Sequence, residues 1–223
     1  MLINKATPLR RNRAVTLIEA VLYISIALAL IVGGLVFFQQ ASTAAKTSTM
    51  VRQLSATLAE ARVLVQGLPV GGPPLSITPL LISAGAVPPD MVESPMDLVN
   101  PFGGFTEVVF WDLGGGNTAL YIVATNVPKA VCAKLLTATS GSGSASGSGG
   151  ASGTTVVAPG YLRGMVRNTG GGGGGWKNYI MNPTQAGWMC KYGSSSYTSQ
   201  TTEPTSTPFS GNVIVDMVFT TDG

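Results

Sequence analysis

Residues 10–30 read RRNRAVTLIEAVLYISIALAL, a basic cluster that runs directly into a long apolar segment with one carboxylate, Glu19, among its first apolar residues. The apolar stretch extends from Ala20 to Phe38 and is interrupted by Ser25, Gly33, Gly34 and the amphipathic Tyr23. As a helix rising about 1.5 Å per residue it spans roughly 28 Å, close to the thickness of a bilayer's hydrocarbon core. The basic residues ahead of it hold the N-terminus on the cytoplasmic side and place everything beyond Phe38 outside. The run is too long for the apolar core of a cleaved secretory signal. The helix is therefore expected to stay in the chain. A carboxylate costs about 2–3 kcal/mol at the centre of a bilayer, but roughly 7 Å from the helix start partial hydration lowers that cost. Snorkelling to the interface is one sufficient explanation of Glu19.

Composition narrows the function classes. The chain has 223 residues, with a low charged fraction of 10% and 29 glycines, a mixture that suits a surface-exposed or assembled protein better than a cytosolic enzyme. The formal charge of +3 is unevenly placed, because Lys5, Arg10, Arg11 and Arg13 all lie in residues 1–14. Without them the balance is 9 basic (13 less 4) against 10 acidic residues, so no basic surface points to a nucleic acid partner. There is no histidine, and no carboxylate pair has a convergent spacing, so neither a catalytic residue nor a metal site is expected and no cofactor is implied. Asp90, Glu93 and Asp97 fall in one loop, where solvation explains them and calcium binding is the weaker alternative. The glycine run at 170–175 leads into Trp176 and Lys177 without the Gly-Lys-Ser/Thr ending of a phosphate-binding loop.

Within the apolar run, Ser25, Ala29 and Gly33 recur every four residues and put small side chains on one helix face, as in small-xxx-small packing. Gly33 and Gly34 each weaken the helix by about 1 kcal/mol relative to alanine. Past Phe38 the period continues with one polar side. Met50, Val51, Leu54, Leu58, Ala61 and Val65 follow spacings of three and four, while Gln53, Ser55, Glu60 and Arg62 fill the other faces. The helix is expected to run to about Gln66, where Gly67 and Pro69 stop it.

Beyond it lies a globular head. Thr78 is positioned to cap a short helix through Ala84, with Gly85 ending it and Pro88 and Pro89 preventing continuation. FTEVVFWDL, GGGN and ALYIVATNV predict an antiparallel hairpin over about 105–127, and VPKAVCAKLL a helix with Pro128 in its first turn. NVIVDMVF at 212–219 predicts a strand in the interior of the sheet. The fold class is α+β: a long N-terminal helix packed on an antiparallel β-sheet head.

The basic leader, a small residue, then VTLIE and some twenty apolar positions resemble the class III signal of type IV prepilins. The order of long helix, SAGAVPPDMV, NPFGG, hairpin and NVPKAVCAKLL further resembles type IVb major pilins, such as the toxin-coregulated, bundle-forming and conjugative thin-pilus pilins. The resemblance covers most of residues 10–136 and the last strand. It implies a leader over 1–14, a hydrophobic anchor and filament core over 15–40, an amphipathic half of the same helix over 41–67, and a head over 68–223. It also implies cleavage by a prepilin peptidase between Ala14 and Val15, with N-methylation of Val15. The family favours glycine where this chain has Ala14. Glu19 would then neutralise the Val15 amine of a neighbouring subunit and fix axial register. Gly33 and Gly34 mark where the helix would loosen in an assembled filament, with close packing on a neighbour as the alternative.

Cys132 and Cys190 are the only cysteines and are expected outside the cytoplasm, which predicts a disulfide; two free thiols would fit a chain that is never exported. In the family such a bridge bounds a variable region, here 133–189. Its SGSGSASGSGGASGTT tract and glycine run are expected to be mobile surface loops. Trp176, Tyr179, Trp188 and Tyr192 either anchor this segment to the head or form an adhesive or subunit-contact patch. The resemblance implies a non-enzymatic major pilus subunit, held in the inner membrane and then carried into an extracellular filament. Its partners would be itself, the peptidase, the inner-membrane assembly machinery and, before assembly, the membrane. The alternatives are a minor pilin or type II secretion pseudopilin, or a single-pass anchored binding protein that does not polymerise.

Overall fold

The computed structural model describes residues 17–66, 68, 72–114, 117–139, 161–168, 176–177, 182–194 and 202–221. The order of elements is α1 (Leu17–Val65), β1 (Leu75–Ser76), α2 (Thr78–Ser83), a 3-10 turn (Pro89–Met91), β2 (Leu98–Val99), β3 (Phe105–Gly114), β4 (Asn117–Val127), α3 (Lys129–Thr139), β5 (Tyr161–Asn168), α4 (Pro183–Tyr192) and β6 (Val213–Thr220). The chain falls into two compact units that meet within α1, one ending at Ala44 and the other beginning at Ala45.

In the first unit, α1 is unbroken through Gly33 and Gly34, and no described residue is buried. In the second unit the helix turns amphipathic. Thr47, Met50, Gln53, Leu54, Thr57, Leu58, Ala61 and Val65 form its buried stripe, recurring at helical spacing. The apolar members of this stripe join one core cluster with Val108 and Phe110 of β3, Leu120 and Ile122 of β4, and Val215, Met217 and Phe219 of β6. The amphipathic half thus packs on one face of the sheet, and the Arg62 side chain reaches the Thr220 carbonyl at 3.2 Å. Gln53, expected on a polar face, is buried because its amide donates to Asp90 Oδ2 at 2.7 Å. That bond satisfies the amide nitrogen, while Oε1 is buried without a hydrogen-bond partner among the described residues.

The six-stranded sheet has the order β1-β3-β4-β6-β5, with β2 also on β3, and every pairing is antiparallel. The β3–β4 hairpin pairs Val108 with Ile122 and Phe110 with Leu120, as the alternating sequence predicts. β6 occupies the expected interior position, between β4 and β5. Both rims are hydrogen-bonded further. The outer edge of β3 carries β1 and β2. On β5, Gly164 exchanges hydrogen bonds with Lys177, and Val166 receives Ser194 N on its carbonyl while donating to Ser194 Oγ.

Two local features depart from expectation. Thr78 does not cap α2: Ile77 holds that place without a side-chain cap, and Thr78 Oγ1 accepts from Val108 N at 2.9 Å. The hydroxyl ties the helix start to β3 beside the Ile77 amide, which donates to the Val108 carbonyl at 2.9 Å. The segment 137–211 contains β5 and α4, neither of which the glycine-rich sequence suggested. The SGSGSASGSGGASGTT tract, the glycine run and Tyr179 lie outside the described residues, as do Gly67, Pro69 and the tip of the GGGN turn.

Candidate functional site

The first half of α1 presents an apolar surface that no described residue of its own compact unit covers. Leu17 is 84% exposed and Phe37 73%, and Ile24, Leu28, Ile31 and Leu35 are all more than half exposed. This helix is long and apolar enough to cross a membrane. Two of its hydroxyls are satisfied locally: Ser25 Oγ donates to the Val21 carbonyl, and Thr43 Oγ1 to the Gln39 carbonyl. Such bonding lets a hydroxyl enter hydrocarbon without a water partner. Ser25 and Ala29 are exposed, and a Cβ added at Gly33 or Gly34 would meet nothing within 4 Å. Nothing among the described residues therefore requires those glycines. Glu19 lies exposed in the first turn of α1, on the side of the helix macrodipole that favours an anion. Ala14 and Val15 lie outside the described residues.

In the head, Cys132 and Cys190 form a disulfide with their Cα atoms 6.0 Å apart, both buried between α3 and α4. α4 begins with a capping box: Asn182 Oδ1 accepts from Gln185 N at 2.8 Å and Gln185 Oε1 from Asn182 N at 3.1 Å, with Pro183 at the first helical position. Asn-Pro-Thr-Gln at 182–185 is the sequence signal for this helix, and it precedes Cys190 by two turns. Beyond α4, Gly193 adopts φ +83°, and a Cβ there would stand 2.2 Å from the Phe209 ring. The loop carrying Phe209 is held by Lys129 Nζ, which donates to the Phe209 carbonyl. Tyr192 and Lys191 both bind Glu203, at 2.7 and 3.0 Å; the Tyr192 hydroxyl first and the ammonium second hold that carboxyl below its usual range.

The sheet face opposite α1 is the second distinctive surface. Trp111 and Tyr121, on neighbouring strands, meet edge-on with centroids 6.5 Å apart, and Trp176 meets Tyr121 at 5.5 Å. The Arg163 guanidinium lies 4.9 Å from the Trp176 centroid and 5.9 Å from that of Trp111. Beside them Arg167 forms a forked ion pair with the fully buried Asp216, at 2.7 and 3.1 Å. Burial, reinforced by the Asp216 charge, pushes the Tyr121 phenol well above its ordinary range. Of the four aromatic residues singled out from sequence, Trp176 and Trp188 do anchor to the head, and Tyr192 is buried. Trp111, Tyr121 and Arg163 were not singled out, because alternation in a strand does not show which outward-facing residues will meet. Among the described residues no group of three or more metal-ligating side chains comes together.

A family model described as PilS N terminal matches residues 44–158, just over half of the chain. The chain belongs to the PilS N-terminal family. No curated protein and no solved structure matches it. The matched range opens where the second compact unit does and takes in the amphipathic half of α1, the β3–β4 hairpin and α3. The PilS match therefore rests on the head and not on the apolar N-terminal stretch. The match supports a type IV pilin-like protein.

Proposed function

We propose that the chain is the major structural subunit of a type IVb-like pilus and has no enzymatic activity of its own. The observation that carries this reading is an uninterrupted apolar helix surface, exposed among the described residues of its own compact unit and continuous in sequence with a head of the PilS family. Prepilin peptidase removes residues 1–14 by cutting between Ala14 and Val15, and Val15 becomes the N-methylated first residue. The subunit waits in the inner membrane on its apolar helix and is delivered by the inner-membrane assembly machinery into an extracellular homopolymer. In the filament the bilayer is replaced by neighbouring helices, and the small face of Ser25, Ala29 and Gly33 admits close approach. Glu19 then meets the Val15 amine of the next subunit. In a dry bundle an unpaired carboxylate is costly, so misregistered helices are rejected.

A Glu19→Ala substitution tests the mechanism. Sheared surface filaments are expected to disappear while the subunit still accumulates in the membrane. Filaments at normal yield would overturn the pairing and with it the proposed register device.

A further inference from the structure

We propose that the sheet face opposite the amphipathic half of α1, at Trp111, Tyr121, Arg163 and Trp176, is a binding site for an acidic glycan, with a sugar carboxylate seated on Arg163. Arg163 is the unusual member of this group. Its neighbour Arg167 has a carboxylate partner in Asp216, and the resulting ion pair is self-contained. Arg163 has none among the described residues: its contacts are the two tryptophan rings, and its Nε is buried with no hydrogen-bond partner. Buried donors are ordinarily satisfied, and leaving one unmet is costly enough to call for an acceptor. Rings contribute charge stabilisation but no acceptor lone pairs in the guanidinium plane. A carboxylate supplies two, in the geometry that the guanidinium fork matches.

The rings favour a sugar as the body that carries this carboxylate. Trp111, Tyr121 and Trp176 are half-buried and meet edge-to-face, so their planes point in different directions around the cation. Ring faces are electron-rich, and the C–H bonds on one side of a pyranose carry partial positive charge, so a sugar packs on them without a hydrogen bond. Two features hold the platform in place. Trp176 is adjacent to the Gly164–Lys177 bridge, and Tyr121 sits on β4, beside β6 in the sheet interior. A single-stranded nucleic acid would also stack on such rings. It additionally needs a positive track for its backbone, and from residue 15 onward the chain has 9 basic against 10 acidic residues.

Binding is measured by tryptophan fluorescence on the full-length chain in detergent micelles, with oligogalacturonate as the probe, methyl-esterified oligogalacturonate as its uncharged counterpart, and oligothymidylate as the nucleic acid. Saturable binding of oligogalacturonate is expected, with the methyl ester at least about tenfold weaker, the usual scale for one charge-assisted contact. Arg163→Gln is expected to weaken the acidic probe by about tenfold and leave the ester unchanged, whereas Lys191→Gln, on α4, changes neither. Trp176→Ala is expected to weaken both sugars. The proposal fails if the ester binds as tightly as the acid, if no saturable binding occurs, or if oligothymidylate binds more tightly than either sugar. The ester comparison uses the unsubstituted protein, so it decides the matter even if Arg163→Gln does not fold.

Discussion

At the scale of single residues, NPFGG shows how a loop motif can be a packing motif. Asn100 accepts hydrogen bonds from Phe102 N at 2.9 Å and Gly104 N at 3.3 Å, and donates to the Thr125 carbonyl at 2.9 Å. The side chain thereby closes the turn on itself and ties it to β4. Gly104 is required by space: a Cβ there would lie 2.0 Å from the Thr125 carbonyl oxygen. Gly104→Ala is therefore expected to destabilise the head by about 1–3 kcal/mol, the usual cost of overpacking, read as a lower midpoint in urea unfolding. Gly103, with φ +74° and nothing within 4 Å, is constrained by conformation instead. The sequence marks the position of this loop but not which glycine touches β4, because that contact joins residues twenty-one apart in the chain. Asn126 is similar. Its positive φ of 57° lies in the β4 bulge, where its amide reaches the Phe102 carbonyl at 2.8 Å.

At the scale of elements, legibility follows periodicity. The long apolar run, the stripe ending at Val65, the hairpin and β6 were all visible because each buries a regular set of side chains. β5 was not. Of the residues of YLRGMVRN whose burial is described, Val166 is the one buried apolar side chain, between arginines on the opposite face, so its pattern is too sparse to mark a strand. α4 is short and glycine-bearing, and its mark is the Asn182–Gln185 cap rather than an apolar stripe. What fixes α4 on the head is the disulfide to α3, which closes a loop with a sequence separation of 58. A double Cys132→Ala, Cys190→Ala chain is expected to lose about 4 kcal/mol of stability on the chain-entropy account, measured by urea unfolding. Reduction of the unsubstituted protein should reproduce the same shift, since both routes release the same loop.

At the scale of the whole molecule, the chain falls into two compact units, one ending at Ala44 and the other beginning at Ala45. The identity of the candidate assembly surface was legible because it is a contiguous stretch of chain. The aromatic and arginine platform was not, since Trp111, Tyr121, Arg163 and Trp176 come from three strands and a bridging segment. The leader is the feature on which the proposed assembly depends most, because Glu19 has a partner only if a new amine is created at Val15. Intact mass of the filament subunit should begin at Val15 with one added methyl group. A mass that retains Met1 would exclude the proposed maturation.

The hydrogen-bonded rims of the sheet bear on how such a subunit could be recovered. Gly164 and Val166 already spend their outward backbone groups on Lys177 and Ser194, and β3 is shielded by two short strands. At those positions no backbone group is left to template a neighbour by strand exchange, the route by which sheets fuse irreversibly. If subunits are joined through helix side chains alone, each head enters and leaves the polymer with its own ladder intact. Withdrawal then requires exchange of one apolar solvent, the bundle, for another, the bilayer, and no refolding step.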